Sequence, residues 1–154
     1  MPRYAKDTEV SSSKSRAEIE QTLARYGATG FLYGWMETNA MVAFQMADRH
    51  VKFTLPMPPR DDFRFTPERQ SERSEDQISR EFDKAVRQRW RALLLVIKAK
   101  LEAVECGITE FDEEFMAHIV LPDGQTVGQW MRPQIEKAYQ LGTMPSLLAL
   151  PKPD

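Results

Sequence analysis

The chain has 154 residues, with 21 Lys and Arg against 23 Asp and Glu and a hydrophobic share of 42%, a length that fits one domain with enough apolar material for one core. Cys106 is the only cysteine, which excludes an intrachain disulfide and argues against a thiolate metal site. The formal charge of −2 by itself says nothing about partners. Charge is nevertheless uneven along the chain. Up to Leu101 there are 18 Lys and Arg against 14 Asp and Glu, and from Glu102 onward 3 against 9, which predicts a bipolar surface.

Residues Met1 to Ser13 are polar and serine-rich and read as a flexible arm. The start Met1-Pro2-Arg3-Tyr4-Ala5-Lys6-Asp7 has no apolar core of a signal peptide. Ser15 and Glu18 then have capping-box spacing, and Ile19, Leu23 and Tyr26 mark one face of a short helix that Gly27 ends. From Thr29 the period changes to two. Phe31, Tyr33 and Trp35 alternate with Leu32, Gly34 and Met36, Met41 to Met46 forms a second strand, and Val51, Phe53 and Leu55 form a third that Pro56 stops. Glu37-Thr38-Asn39 and Asp48-Arg49 supply the turns, so the three make an antiparallel meander. Residues 57–73, rich in proline and charge, read as a long mobile loop, with Phe63 and Phe65 as its docking points if it orders.

The stretch from Ser74 to Gly107 dominates the chain. Ser74 and Gln77 form a second capping-box pattern, and Ile78, Phe82, Val86, Trp90, Leu93, Leu94, Ile97, Leu101 and Val104 recur at steps of three and four. Gly107 stops a helix of roughly 31 residues, about 46 Å long at 1.5 Å per residue. The consecutive run Leu93-Leu94-Leu95-Val96-Ile97 is apolar on more than one face, and predicts a homodimer through this helix. Neither it nor any other run reaches the roughly 18 apolar residues of a membrane span. A cytoplasmic protein is expected. Further on, Thr109 and Asp112 have the look of a cap and its partner for a short helix ending near His118, and a last helix through Val127, Trp130, Ile135 and Tyr139 carries Pro133, as a kink or as the first turn of a second piece, before Gly142. Residues 143–154 read as an extended surface tail. The fold expected is α+β, a single domain in which the meander packs on the long helix, with short N-terminal and C-terminal helices.

Several segments resemble a family of small proteins of tailed phages and prophages: Arg3-Tyr4-Ala5-Lys6-Asp7-Thr8, Lys14 to Glu20 with Tyr26-Gly27-Ala28, Arg87 to Leu93 with Lys98 to Ala103, and His118 to Gly128. The resemblance spans most of the chain outside the Pro58–Arg73 loop. It carries no catalytic motif, so it assigns no functional residue; it implies a phage accessory protein in the cytoplasm of a bacterial host cell.

Arg80, Lys84, Arg87, Arg91 and Lys98 fall on one flank of the long helix, a spacing that tracks phosphates as well as it forms a solvated face. Tyr33, on the aromatic-rich strands, is the candidate to stack an unpaired base. The order of one helix, three antiparallel strands and a second helix resembles the double-stranded RNA-binding fold, but Ser74-Glu75-Asp76 opens the long helix with acid where that fold has basic residues. Glu114 and His118, four apart, are a minimal candidate for a divalent cation, outweighed by the helix dipole's preference for acid at this position. There is no P-loop, no Gly-x-Gly-x-x-Gly, no serine elbow and no zinc pattern, so no catalytic residue, metal or cofactor is expected. The reading is a non-enzymatic nucleic-acid-binding protein of phage replication, recombination or regulation. Its alternative is a protein-binding inhibitor of a host or competing system, such as an antiviral defence complex, acting through the acidic C-terminal third or the 57–73 loop.

Overall fold

The computed structural model describes residues 3–36 and 38–144. The element order is α1 (Arg3–Arg25), β1 (Gly30–Trp35), β2 (Asn39–Met46), β3 (Arg49–Pro56), a 3-10 turn (Arg60–Phe63), α2 (Glu75–Glu105), α3 (Phe111–Phe115), a second 3-10 turn (Met116–His118) and α4 (Val127–Leu141). This is an α+β fold. The strands form one antiparallel sheet in the order β1-β2-β3, with Phe31 opposite Phe44 and Phe44 opposite Val51 in register, so one face collects the large side chains.

The core lies between that face and the two long helices. Ile19 and Leu23 of α1, Val42 and Phe44 of β2, Val51 and Phe53 of β3, and Phe82, Val86, Trp90, Ile97 and Leu101 of α2 form one buried cluster, closed at one end by Phe115. Its rings interlock: Phe115 stands edge-on to Phe44 at 5.9 Å and to Phe53 at 6.4 Å, an arrangement that sets ring edge against ring face. Lys98 of α2 reaches Glu18 and Glu102 reaches Tyr26, so α1 and α2 lie side by side and run in the same sense.

The caps of α2 follow the sequence pattern. Gln77 N donates to Ser74 Oγ at 3.3 Å, Ser74 N donates to Gln77 Oε1 at 2.9 Å, and Gly107 takes φ 75° after the last turn. Four expectations are corrected. Helix α1 begins at Arg3, so the segment read as an arm is helical over most of its length and Ser15 is an interior residue, not a cap. Thr109 does not cap α3: the N-cap is Glu110, without a side-chain hydrogen bond, and Thr109 Oγ1 donates to Glu114 instead. For Pro133 only the reading as the first turn of a second piece is corrected, since α4 is continuous from Val127 to Leu141 with Pro133 inside it. Helix α4 also has a capping box that the sequence reading missed, Thr126 with Gln129.

The fourth correction concerns residues 57–73, which dock rather than hang free. Arg60 donates to Ser79 Oγ at 2.7 Å and to Glu75 at 3.3 Å, Phe63 meets Phe82 at 6.1 Å, and Arg73 donates back to the carbonyls of Phe63 and Phe65. Met57 and Pro58 are buried. Of the two expected anchors Phe63 serves and Phe65 stays exposed. The tail from 145 onward lies outside the described residues. Among the described residues no helix is long and apolar enough to cross a membrane.

Candidate nucleic-acid interface

At 100° per residue Arg80, Lys84, Arg87 and Arg91 fall within an arc of about 60° over about 16 Å of helix. All four are exposed, and among the described residues none forms an ion pair. Helix α2 can hold them there because its opposite face is anchored: Phe82, Val86 and Trp90, each at most 1% exposed, fix the rotation of these turns against the sheet.

The other two candidates are placed differently. Lys98 Nζ donates to Glu18 Oε1 at 2.9 Å, and this hydrogen bond, followed by the attraction of the same ammonium, holds the Glu18 carboxyl below its ordinary value. Lys98 is therefore a link between α1 and α2, with its charge already matched. Tyr33 is partly buried, its ring 5.4 Å from that of Trp90 and covered by the Arg16 guanidinium at 4.1 Å. Its hydroxyl is buried with no hydrogen-bond partner in the structure. With the Arg16 guanidinium over its ring and Trp90 packed against it, Tyr33 is a poor platform for a base. Arg89 and Lys100 are committed as well, Arg89 to the Pro56 carbonyl at 2.9 Å and Lys100 to Glu114. The stripe thus reduces to four groups.

Helix α2 opens with Glu75 and Asp76, which suits the helix dipole and leaves no basic start for a phosphate at that end. The two members of the candidate cation pair are engaged by other partners. Glu114 accepts from Thr109 Oγ1 and then Lys100 Nζ, which together keep its carboxyl ionised below the usual range. His118 stacks on Phe53 at 4.1 Å, and desolvation, with Lys100 adding to it, lowers its pKa. Among the described residues no group of three or more His, Cys, Asp or Glu is placed to hold a metal ion. The sheet's outer side carries a shallow cavity of about 430 Å³ lined by Leu32, Ala43, Gln45, His50 and Lys52, with no clustered acid, base and nucleophile.

No protein-family model, no curated protein and no solved structure matches the chain.

Proposed function

We propose that this is a non-enzymatic accessory protein of phage origin that binds the nucleic-acid backbone through Arg80, Lys84, Arg87 and Arg91, in replication, recombination or regulation in the cytoplasm of a bacterial host. The observation that carries the reading is that four exposed cations share one arc of a rigid helix while the neighbouring Lys98, Lys100 and Arg89 are all engaged. Four groups over about 16 Å match a run of about five phosphates at roughly 3.4 Å each. Arginine and lysine at this spacing neutralise backbone charge without reading bases, so binding is sequence-independent and weak at physiological salt. The phage origin rests on the resemblance of the segments quoted above. A homodimer through α2 is proposed as well, as an association separate from nucleic-acid binding.

Fluorescence anisotropy with labelled single-stranded and duplex DNA and RNA tests it. Arg87→Glu with Arg91→Glu should abolish binding and leave the circular dichroism spectrum unchanged, since both side chains are exposed. Well-folded wild type that binds none of the four probes at low salt overturns the reading.

One observation favours the alternative, a protein-binding inhibitor of a host or defence complex. In the acidic C-terminal third, Trp130, Ile135, Tyr139 and Leu141 of α4 are 43%, 51%, 86% and 67% exposed, the kind of apolar surface a partner covers. Capture of a single host protein, lost in Tyr139→Ala, would support it.

A further inference from the structure

From Ala92 to Ala99 the outer face of α2, away from the sheet, is apolar where a solvated helix face is polar. Leu95 and Val96 are 57% and 45% exposed; Ala92 and Ala99 are exposed beside them, and Ala85 and Ala103 extend the same face. Ala85, Ala92 and Ala99 recur at seven-residue steps, the repeat that keeps one position on a helix–helix seam. Alanine on a seam lets a second helix approach to about 8 Å.

The charges along one flank of this face say what covers it. Arg80, Lys84, Arg87 and Arg91 occupy its N-terminal half, and the same flank continues to Glu102 and Glu105. Both glutamates stand at the end of α2 where the helix dipole disfavours anions, and the last turn has no basic residue. Glu102 accepts from the Cys106 thiol and the Tyr26 hydroxyl, each at 3.0 Å. These neutral donors keep its carboxyl ionised without supplying a positive charge. The flank is therefore positive at one end and negative at the other.

We propose that a second copy of the chain docks here, α2 against α2 in antiparallel orientation about a two-fold axis near Leu95. Antiparallel pairing sets Ala92 near the partner's Ala99, Ala85 near the partner's Ala103, Lys84 beside the partner's Glu105 and Arg87 beside the partner's Glu102. A parallel pair would carry this flank to the far side of the seam, away from the partner's copy of it, so the charges would not meet. Arg91 comes beside the partner's Lys98, whose charge Glu18 already balances. The docking does not depend on nucleic-acid binding, but it uses Lys84 and Arg87, so the two associations compete for these side chains.

Sedimentation equilibrium of the full chain without nucleic acid, at high micromolar concentration, tests the proposal. Wild type should be dimeric, and Leu95→Arg, at an exposed position, should be a folded monomer. Lys84→Glu alone and Glu105→Lys alone should each raise the dimer Kd about tenfold, and the double variant should restore it. Positions 84 and 105 lie about 31 Å apart along one helix, so restoration reports a contact between copies. A monomeric wild type overturns the proposal and leaves the face to another segment of the chain or to a different protein. A dimer that survives Leu95→Arg, single variants without effect, or a double variant no better than the singles overturns it as well.

Discussion

Replacing Trp90 with alanine removes the side chain on which both long helices and the sheet converge. Trp90 has no exposed surface, its ring lies 5.4 Å from Tyr33, and Tyr33 in turn carries Arg16 on its ring at 4.1 Å. Truncating a buried tryptophan costs about 3–5 kcal/mol in lost transfer energy and residual cavity, and the lost ring pair adds about 0.5–1.5 kcal/mol. Against a total stability of roughly 5–15 kcal/mol the loss is severe. At about 2–4 °C per kcal/mol for a chain of this size, the melting temperature should fall by roughly 7–26 °C. Trp90→Phe should cost much less: it keeps a ring against Tyr33 and removes an indole N–H that is buried without a partner. Leu32→Ala serves as the contrast. Leu32 is next to Tyr33 in sequence but points to the outer side of the sheet, 59% exposed, and its loss should stay within about 0.5 kcal/mol. Thermal melts followed by circular dichroism read all three. A Trp90→Ala protein that melts within a few degrees of wild type, or no lower than Leu32→Ala, would refute the packing described.

Two further predictions follow from single contacts. His118 is held neutral by desolvation, with its folded pKa below the ordinary 6.5; the unfolded chain therefore binds the proton first, and stability is full above about pH 6.5 and declines as pH falls below it. His118→Phe, which keeps a ring on Phe53, should flatten that decline in urea titrations at graded pH; an unchanged slope would contradict the assignment. At Gly128 an added Cβ would sit 2.9 Å from the Ala117 carbonyl oxygen, a backbone atom that cannot swing aside. Gly128→Ala should therefore destabilise by about 1–3 kcal/mol, and a neutral result in denaturant unfolding would show that the turn before α4 is looser than this contact requires.

Helix α2 was legible to the residue because its signals are local. Ser74 and Gln77 lie within one turn of each other, Gly107 follows the last apolar step, and the buried series from Ile78 to Leu101 repeats as the period demands. The strands were legible for the same reason, each showing its alternation over a few residues. The start of α1 was not, because a helix once nucleated extends through residues with no apolar period of their own. The docking of residues 57–73 depends on Arg60 finding Ser79 and Phe63 finding Phe82, and nothing in either segment names the other. The same limit applies to the basic stripe. Helical spacing placed Arg80, Lys84, Arg87, Arg91 and Lys98 on one flank, but the carboxylate that pairs with Lys98 lies 80 residues away in sequence, and Tyr33 is closed by Trp90 and Arg16 from two other elements.

Four phosphate contacts from one arc of α2 should set the salt dependence of binding. Each neutralised phosphate contributes about −0.7 to the slope of log K against log salt on a single strand and about −0.9 on a duplex, so four contacts give about −2.8 and −3.6. Arg91→Ala should reduce the single-strand slope by about 0.7, and Lys98→Ala, whose charge Glu18 already holds, should leave it unchanged. Slopes near zero, or a wild-type slope that Arg91→Ala does not alter, would contradict the claim.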